Sequence, residues 1–227
     1  MPPCHPRCNA SKSRTICGGL DGLTRRPPAT RDGHDRLGNA LPAGRYSMGK
    51  RDGCPSFDRT GVEMDRGSGL GSGCGFGHDV REIARCGVEA VGLDLSAAAV
   101  EGADRFEKIG AESYRLADLF DRSWWPAEGF AAWWEHTCFC AIDPSDRPRY
   151  AEAAGALVRP GGWLCGVFFL TPNDPGEEGL GPPFESTREE ITGLLEPWFE
   201  LVESWVPQTG YPGRVGREWT AIFRRRD

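Results

Sequence analysis

The stretch GSGCGFGHDV, residues 71–80, holds four glycines directly before a helical pattern. Glycine loses more backbone entropy on folding than any other residue, so such a cluster indicates positive φ angles or a close approach of the backbone to another group. In an open parallel sheet, the first loop after a strand brings backbone N–H groups and a helix N-terminus toward a ligand. Residues 71–80 are therefore a candidate binding loop, and a plain flexible loop is the alternative.

From Asp79 to the C-terminus, helical patterns alternate with strand patterns. This alternation predicts an α/β fold, with a doubly wound, mostly parallel sheet, covering helices and a terminal antiparallel strand. The predicted strands are residues 88–94, 114–118, 131–135, 163–170, 201–206 and 219–224. The predicted helices run from about Val80 to Gly87, from the cap at Ser96 to about Lys108, from 145 to 158, and from the capping box at 186–189 to about 195. Residues 66–72, RGSGLGS, are a poor strand by propensity.

Length and composition indicate one ordinary soluble domain, because 227 residues are 39% hydrophobic and 26% charged. The longest apolar run, residues 163–170, is far shorter than the roughly 20 residues of a membrane helix, and the N-terminus lacks the apolar stretch of a secretory signal. The nine cysteines are odd in number, and several lie in apolar segments, which argues against a disulfide framework. We expect a cytoplasmic monomer without membrane association.

Residues 1–66 differ in kind from residues 67–227. They carry 12 Lys and Arg against 7 Asp and Glu, net +5, which leaves −11 for the rest of the chain. They contain no tryptophan and no periodic pattern, so we expect a basic segment of low order, rich in Gly, Pro and Arg. The arginines are scattered, and Tyr46 and Phe57 are the only tyrosine, phenylalanine or tryptophan residues among them, so a nucleic-acid partner is not expected. Cys4, His5 and Cys8 lack a second ligand pair, so no metal site is predicted.

Two carboxylates follow predicted strands at informative positions. Asp94 lies 21 residues after Gly73, close to the ~20-residue offset at which an acidic side chain can bind ribose hydroxyls, and Asp118 ends the next strand. The glycine spacing is G-x-G-x-G, which departs from the G-x-G-x-x-G dinucleotide fingerprint. The pair of features therefore predicts a nucleoside cofactor with a charged tail. A nicotinamide-dependent oxidoreductase is the rival enzyme.

Six stretches resemble, in order, the thiopurine and thiol S-methyltransferases: GCGFGHDV (73–80), VGLDLS (91–96), LADLF (116–120), WWEHTCFCAI (133–142), LVRPGGWL (157–164) and GPPFE (181–185). The resemblance implies a Rossmann-like methyltransferase domain that transfers a methyl group from S-adenosylmethionine to a small soft nucleophile such as a thiol. It places the cofactor's methionine part against Gly73, Gly75 and Gly77, its ribose at Asp94 and its adenine at Asp118 and Leu119. Glu135 and His136 occupy a cofactor-contacting position, and 181–185 is a loop on the acceptor side.

The chain departs from this family at its N-terminal side. Members carry an apolar first strand and a tryptophan-rich N-terminal segment over the cofactor, whereas tryptophan first appears here at Trp124. Either the chain lacks both, or residues 1 to about 70 come from a shifted reading frame or an error in gene assignment. The abrupt change in composition favours the second. A catalytically impaired cofactor-binding protein therefore stays open as an alternative function.

No catalytic residue follows from the sequence, because methyl transfer from a sulfonium needs mainly orientation and a nucleophilic acceptor. His136 could raise the thiolate fraction of an acceptor thiol modestly. Cys138 and Cys140 are expected to alternate along an extended segment, where packing is favoured over chemistry.

Overall fold

The structure is a computed structural model that describes residues 67–177 and 179–227. The predictions for residues 1–66 lie outside the described residues. The described part contains seven strands: β1 Ser68–Ser72, β2 Glu89–Asp94, β3 Glu112–Leu116, β4 Phe130–His136, β5 Val158–Phe169, β6 Phe199–Trp205 and β7 Glu218–Arg225. Its α-helices are α1 His78–Arg85, α2 Ala97–Asp104, α3 Arg147–Leu157 and α4 Arg188–Leu195. None of these helices is long and apolar enough to cross a bilayer.

The strands form one sheet in the order β3-β2-β1-β4-β5-β7-β6. The first five strands pair in parallel, and β7 is antiparallel to both β5 and β6. The predicted α/β class, with a mostly parallel sheet and an antiparallel last strand, is thus confirmed. The strand order reverses between β1 and β4, and ligands of such sheets bind outside the carboxyl ends of the strands at this point.

The alternative that the chain lacks its first strand is wrong, because residues 68–72, a poor strand by propensity, form β1 between β2 and β4. Propensity fails here because packing decides the conformation. A Cβ atom on Gly71 would lie 2.8 Å from Val80 Cγ2, and one on Gly67 would lie 2.5 Å from Ala131 Cβ. Gly71 in β1 and Gly67 directly before it therefore allow helix α1 and the neighbouring strand to approach closely.

Successive residues of each strand face opposite sides of the sheet, and each side has its own apolar cluster. The larger cluster includes Trp133, Tyr150 and Phe168 and is covered by α3 and α4. The smaller includes Trp134 and Val167 and is covered by α1. Along β4, Glu135 therefore points toward Tyr150 of α3, and His136 points toward α1.

Several local predictions shift by one or more residues. Thr187, not Ser186, caps α4, because its hydroxyl accepts from Glu190 N at 3.1 Å. Ser96 caps α2 as predicted, but this helix ends at Asp104. The prediction of an extended segment at Cys138 and Cys140 is wrong. Glu135 accepts the backbone N–H groups that follow β4, and the chain turns into a 3₁₀ helix at Phe139–Ala141.

Candidate active site

The glycine loop between β1 and α1 is held in a left-handed path. Gly73, Gly75 and Gly77 have φ angles of 56°, 53° and 73°, which residues with a Cβ rarely adopt. Cys74 N donates to Leu93 O at 2.9 Å, and Gly77 N donates to Cys74 O at 2.8 Å. These bonds fix the loop against the end of β2 at the N-terminus of α1.

Gly75 and Asp94 meet at the centre of this site. Each oxygen of the Asp94 carboxylate accepts one backbone N–H at 2.8 Å, from Gly75 and from Ser96. A carboxylate has about four lone-pair sites, so acceptor capacity remains for ligand hydroxyls. A Cβ built on Gly75 meets no atom within 4 Å. The open space beside Gly75 and the acceptors on Asp94 fit a nucleoside with vicinal hydroxyls.

Asp118 and Leu119 follow β3 on the neighbouring side of this edge. Asp118 Oδ1 accepts from Phe120 N at 2.8 Å. The indole N–H groups of Trp124 and Trp125 donate to the backbone carbonyls of Asp118 and Leu119 at 2.7 and 3.1 Å. The two tryptophans therefore fix the path of the segment predicted to frame the adenine, an arrangement that sequence spacing did not indicate.

Two exposed leucines lie at the same strand ends and were not predicted. Leu95 directly follows β2 with 41% of its surface exposed, and Leu116 ends β3 with 55% exposed. Apolar side chains beside a few polar groups are the usual lining of small-ligand sites. The sequence could have indicated both leucines as lining residues, because Leu95 adjoins Asp94 and Leu116 lies two residues before Asp118.

Glu135 is fully buried and organises the turn after β4. Its Oε1 accepts from Cys138 N at 2.7 Å and Phe139 N at 3.0 Å, and its Oε2 accepts from the Tyr150 hydroxyl at 2.6 Å. Burial raises the pKa of this carboxyl above its ordinary value, against the opposing effect of these hydrogen bonds. Glu135 therefore holds the turn after β4 from the side of the sheet that α3 covers.

His136 ends β4 on the opposite side from Glu135. Its Nδ1 lies 2.6 Å from Asp79 Oδ2, in the first turn of α1, and its ring stacks on Tyr211 with centroids 5.9 Å apart and planes 8° apart. Burial lowers the pKa of His136, but the charge and hydrogen bond of Asp79, together with the charge of Glu218, outweigh it, so the pKa lies above its ordinary value. Neither Asp79 nor Tyr211 was predicted, although Asp79 lies in the stretch that first indicated the site.

The loop that contains residues 181–185 is fastened to the turn after β4 and to α3. Phe184 N donates to Cys140 O at 2.6 Å, and Ser186 N donates to Leu170 O at 3.0 Å. The buried Arg147 donates to Glu185 O at 2.8 Å and pairs with Glu190 at 2.6 Å. The predicted acceptor loop thus lies against the segment that carries His136.

The cysteines near the site are poor nucleophiles. Burial and then the Coulombic effect of Glu135 raise the pKa of Cys138 well above its ordinary value and that of Cys140 to about 12. Burial and then Asp94 also raise the pKa of Cys74 strongly. Because the thiolate is the reactive form, these side chains remain protonated packing groups. Within the described residues, no group of three or more His, Cys, Asp or Glu is placed to hold a metal ion.

The structure therefore brings the predicted residues to one edge of the sheet, from the glycine loop through Asp94, Asp118 and Leu119 to His136. Glu135 supports this edge from the α3 side. Which of them contact a cofactor stays a prediction.

Comparisons with known proteins agree with this geometry. A solved S-adenosylmethionine-dependent methyltransferase from Methanosarcina mazei superimposes with a TM-score of 0.63 at 18% identity, over 77% of this chain and 99% of that one, which shows a shared fold. A "Probable thiol methyltransferase 2" of Arabidopsis thaliana is 36% identical over 138 residues, 59% of this chain and 58% of the relative. "Thiocyanate methyltransferase 1" of the same plant is 33% identical over 161 residues, 67% of this chain and 66% of the relative.

The chain spans less than two thirds of the length of these two curated relatives. The thiopurine S-methyltransferase family profile matches residues 60–208, which is more than half of the chain. That match covers β1 to β6 and every predicted site residue. The chain belongs to the thiopurine S-methyltransferase family.

Proposed function

We propose that this protein binds S-adenosylmethionine and transfers its methyl group to a small soft nucleophile of the thiol class. The observation that carries the proposal is the junction of the glycine loop with Asp94, where Gly75 N donates to the carboxylate beside open space. Family membership and the names of the two plant relatives, which cite thiol and thiocyanate, support the same chemistry.

Different residues of the site would bind the three parts of the cofactor. The backbone of Gly73, Gly75 and Gly77 would hold the methionine part, and Asp94 would accept hydrogen bonds from the ribose hydroxyls. Asp118 and Leu119 would flank the adenine. A bound S-adenosylmethionine supplies an activated methyl group on a sulfonium, so the protein's contribution is orientation and exclusion of water.

Composition supports a small acceptor over a polymer. Residues 67–227 carry a net charge of −11, which repels nucleic-acid phosphates. All five cysteines in the described part of the chain are free thiols, as in a reducing compartment. A cytoplasmic monomer acting on metabolite-sized thiols is part of the proposal.

Labelled methyl transfer tests this function directly. The full chain is incubated with labelled S-adenosylmethionine and, separately, a panel of thiols, thiocyanate, iodide, a peptide and an oligonucleotide. We expect transfer to thiols or to the soft anions, and loss of transfer in Asp94→Ala. A preference for the peptide or the oligonucleotide would contradict the acceptor class, and undiminished transfer in Asp94→Ala would remove Asp94 from the site.

A further inference from the structure

The His136 ring is held in a single orientation by three neighbours. Asp79 Oδ2 lies 2.6 Å from Nδ1, Tyr211 stacks in parallel on one face, and Trp134 contacts the ring edge-on with centroids 6.5 Å apart. The side chain is only 6% exposed. Such close support is more than a solvated histidine at a strand end needs, and it leaves little rotational freedom.

The contact with Asp79 decides which ring nitrogen is available. A carboxylate facing Nδ1 favours the tautomer with the proton on Nδ1, so the lone pair lies on Nε2. Within the described residues, the Asp79 contact is the only hydrogen bond of the His136 ring. Nε2 is therefore the atom of this pair that can accept a proton from a bound molecule.

The charges around His136 favour a proton on the ring. Asp79 on α1 and Glu218 on β7 both raise its pKa, whereas burial and Arg214 lower it. Arg214 is itself paired with Glu218 at 3.2 Å. The Asp79 carboxylate thus compensates an imidazolium at this position, as an aspartate does in other aspartate–histidine pairs.

The pair joins α1, which follows the glycine loop, to the end of β4, which precedes the turn at Cys138. Asp79 follows the glycine loop by two residues, and a Cβ on Gly73 of that loop would lie 3.1 Å from Cys138 in the turn after His136. The same turn binds the predicted acceptor loop through Cys140 O and Phe184 N. The turn that follows His136 therefore contacts both the glycine loop and the proposed acceptor loop.

Other groups near this edge cannot take a proton as readily. Glu135 points to the α3 side and receives donors on both oxygens. Cys138 and Cys140 are buried thiols with raised pKa values. Among the described residues at this edge, the aspartate–histidine pair alone combines a free acceptor atom with a charge that stabilises the protonated form.

We infer that His136, oriented by Asp79, removes the proton from an acceptor thiol at Nε2 before methyl transfer. The inference rests on the proposed function and adds a general base to it. The S–H bond breaks and leaves its electron pair on sulfur, an N–H bond forms at Nε2, and the imidazolium later returns the proton to solvent. The step needs no oxidant, reductant or further reactant.

Acceptors that carry no proton separate this role from a structural one. Thiocyanate and iodide are already anions, so a base is irrelevant to them, whereas an alkyl thiol of pKa above 8 needs deprotonation. We expect His136→Gln to lower kcat/KM for the alkyl thiol by about 10²-fold. The value for thiocyanate or iodide should change less than about 3-fold, a small effect beside a typical general-base contribution.

A matched variant controls for folding. Arg85→Gln changes the last turn of α1, where Arg85 pairs with Glu82 away from the glycine loop, and should leave both acceptor classes unaffected. Asp79→Asn keeps a hydrogen-bonding group at Nδ1 but removes the charge, so it should lower thiol turnover and shift its acid limb to lower pH. Equal losses for thiols and anions in His136→Gln would overturn the base and leave methyl transfer standing.

A measurement without cofactor decides the proton step independently of turnover. An aromatic thiol is titrated into the protein and its thiolate absorbance is followed against pH. Wild type should bind it as thiolate below the pKa of the free thiol, and His136→Gln should not. Binding as the neutral thiol in wild type would overturn the inference. If no acceptor of either class is methylated, the proposed function fails, and this titration still decides whether His136 takes the proton.

Discussion

The buried carboxylate of Glu135 should be among the most sensitive single residues of the fold. Glu135→Ala leaves two backbone N–H groups and the Tyr150 hydroxyl without an acceptor, which we expect to lower the free energy of unfolding by about 3–5 kcal/mol. Glu135→Gln keeps one oxygen and the side-chain volume, so its loss should be about 1–2 kcal/mol. Urea denaturation measures both. Similar losses in the two variants would mean that packing, and not hydrogen-bond acceptance, accounts for the contribution of Glu135 to the free energy of unfolding.

The contact between His136 and Asp79 predicts a pH-dependent contribution to stability. Because the folded-state pKa of His136 is raised, the folded protein binds this proton more tightly than the unfolded chain does. The stabilisation is fully present below the unfolded pKa of about 6.5 and is lost as the pH rises through the folded pKa. The free energy of unfolding of wild type should therefore exceed that of Asp79→Asn by more at pH 6 than at pH 9.

The pKa of His78 shifts in the opposite direction from that of His136, so His78 provides a control. Burial lowers its pKa, so His78 weakens the folded state as the pH falls below about 6.5. His78→Gln should therefore gain stability relative to wild type at low pH and not at pH 9. A parallel pH response of the Asp79→Asn and His78→Gln variants would contradict the assignment of the raised pKa to the Asp79 contact.

Among the elements, the strands with apolar side chains were predictable and β1 was not. Residues 163–170 are a continuous apolar run, and the structure extends this strand backwards to Val158–Phe169. β1 has the sequence SGLGS, whose small residues carry no strand signal. Its conformation is decided by how closely α1 crosses it, which is information about packing between distant segments that local propensity does not contain.

A size exchange between β1 and α1 tests that explanation. Gly71→Ala should lower the free energy of unfolding by about 1–3 kcal/mol because its Cβ would meet Val80 Cγ2 at 2.8 Å. Val80→Ala should cost a similar amount through a cavity. The double variant should be less destabilised than the sum by about 1 kcal/mol or more, since the new methyl group occupies the space that valine leaves.

An exposed glycine in a helix is the matched control for the size exchange. Gly193 lies within α4 with no atom within 4 Å of a built Cβ, so Gly193→Ala should stabilise the protein by about 0.5–1 kcal/mol. Strict additivity of Gly71→Ala and Val80→Ala would show that steric contact is not what requires glycine at position 71.

For the whole molecule, the site was predictable where it depends on spacing along the chain and unpredictable where it depends on contacts across it. Asp94 follows Gly73 by a spacing that predicts their meeting. His136 and Asp79 are separated by 57 positions, and no local pattern connects them. Tyr211 reaches His136 from a loop beyond β6, so only the folded sheet brings the three together.

Ligand binding should report on the whole fold, because the proposed cofactor contacts come from loops after β1, β2, β3 and β4. A ligand that binds only the folded state at 100 times its Kd raises the free energy of unfolding by about 2.7 kcal/mol. S-adenosylhomocysteine should therefore raise the Tm of the full chain by about 5–10 °C, and NAD should not, because the glycine spacing departs from the dinucleotide fingerprint. Asp94→Ala should weaken binding by about 1–3 kcal/mol and reduce the shift at equal ligand concentration. Thermal unfolding with each ligand measures these effects, and a shift with NAD that exceeds the shift with S-adenosylhomocysteine would exchange the proposed transferase for an oxidoreductase.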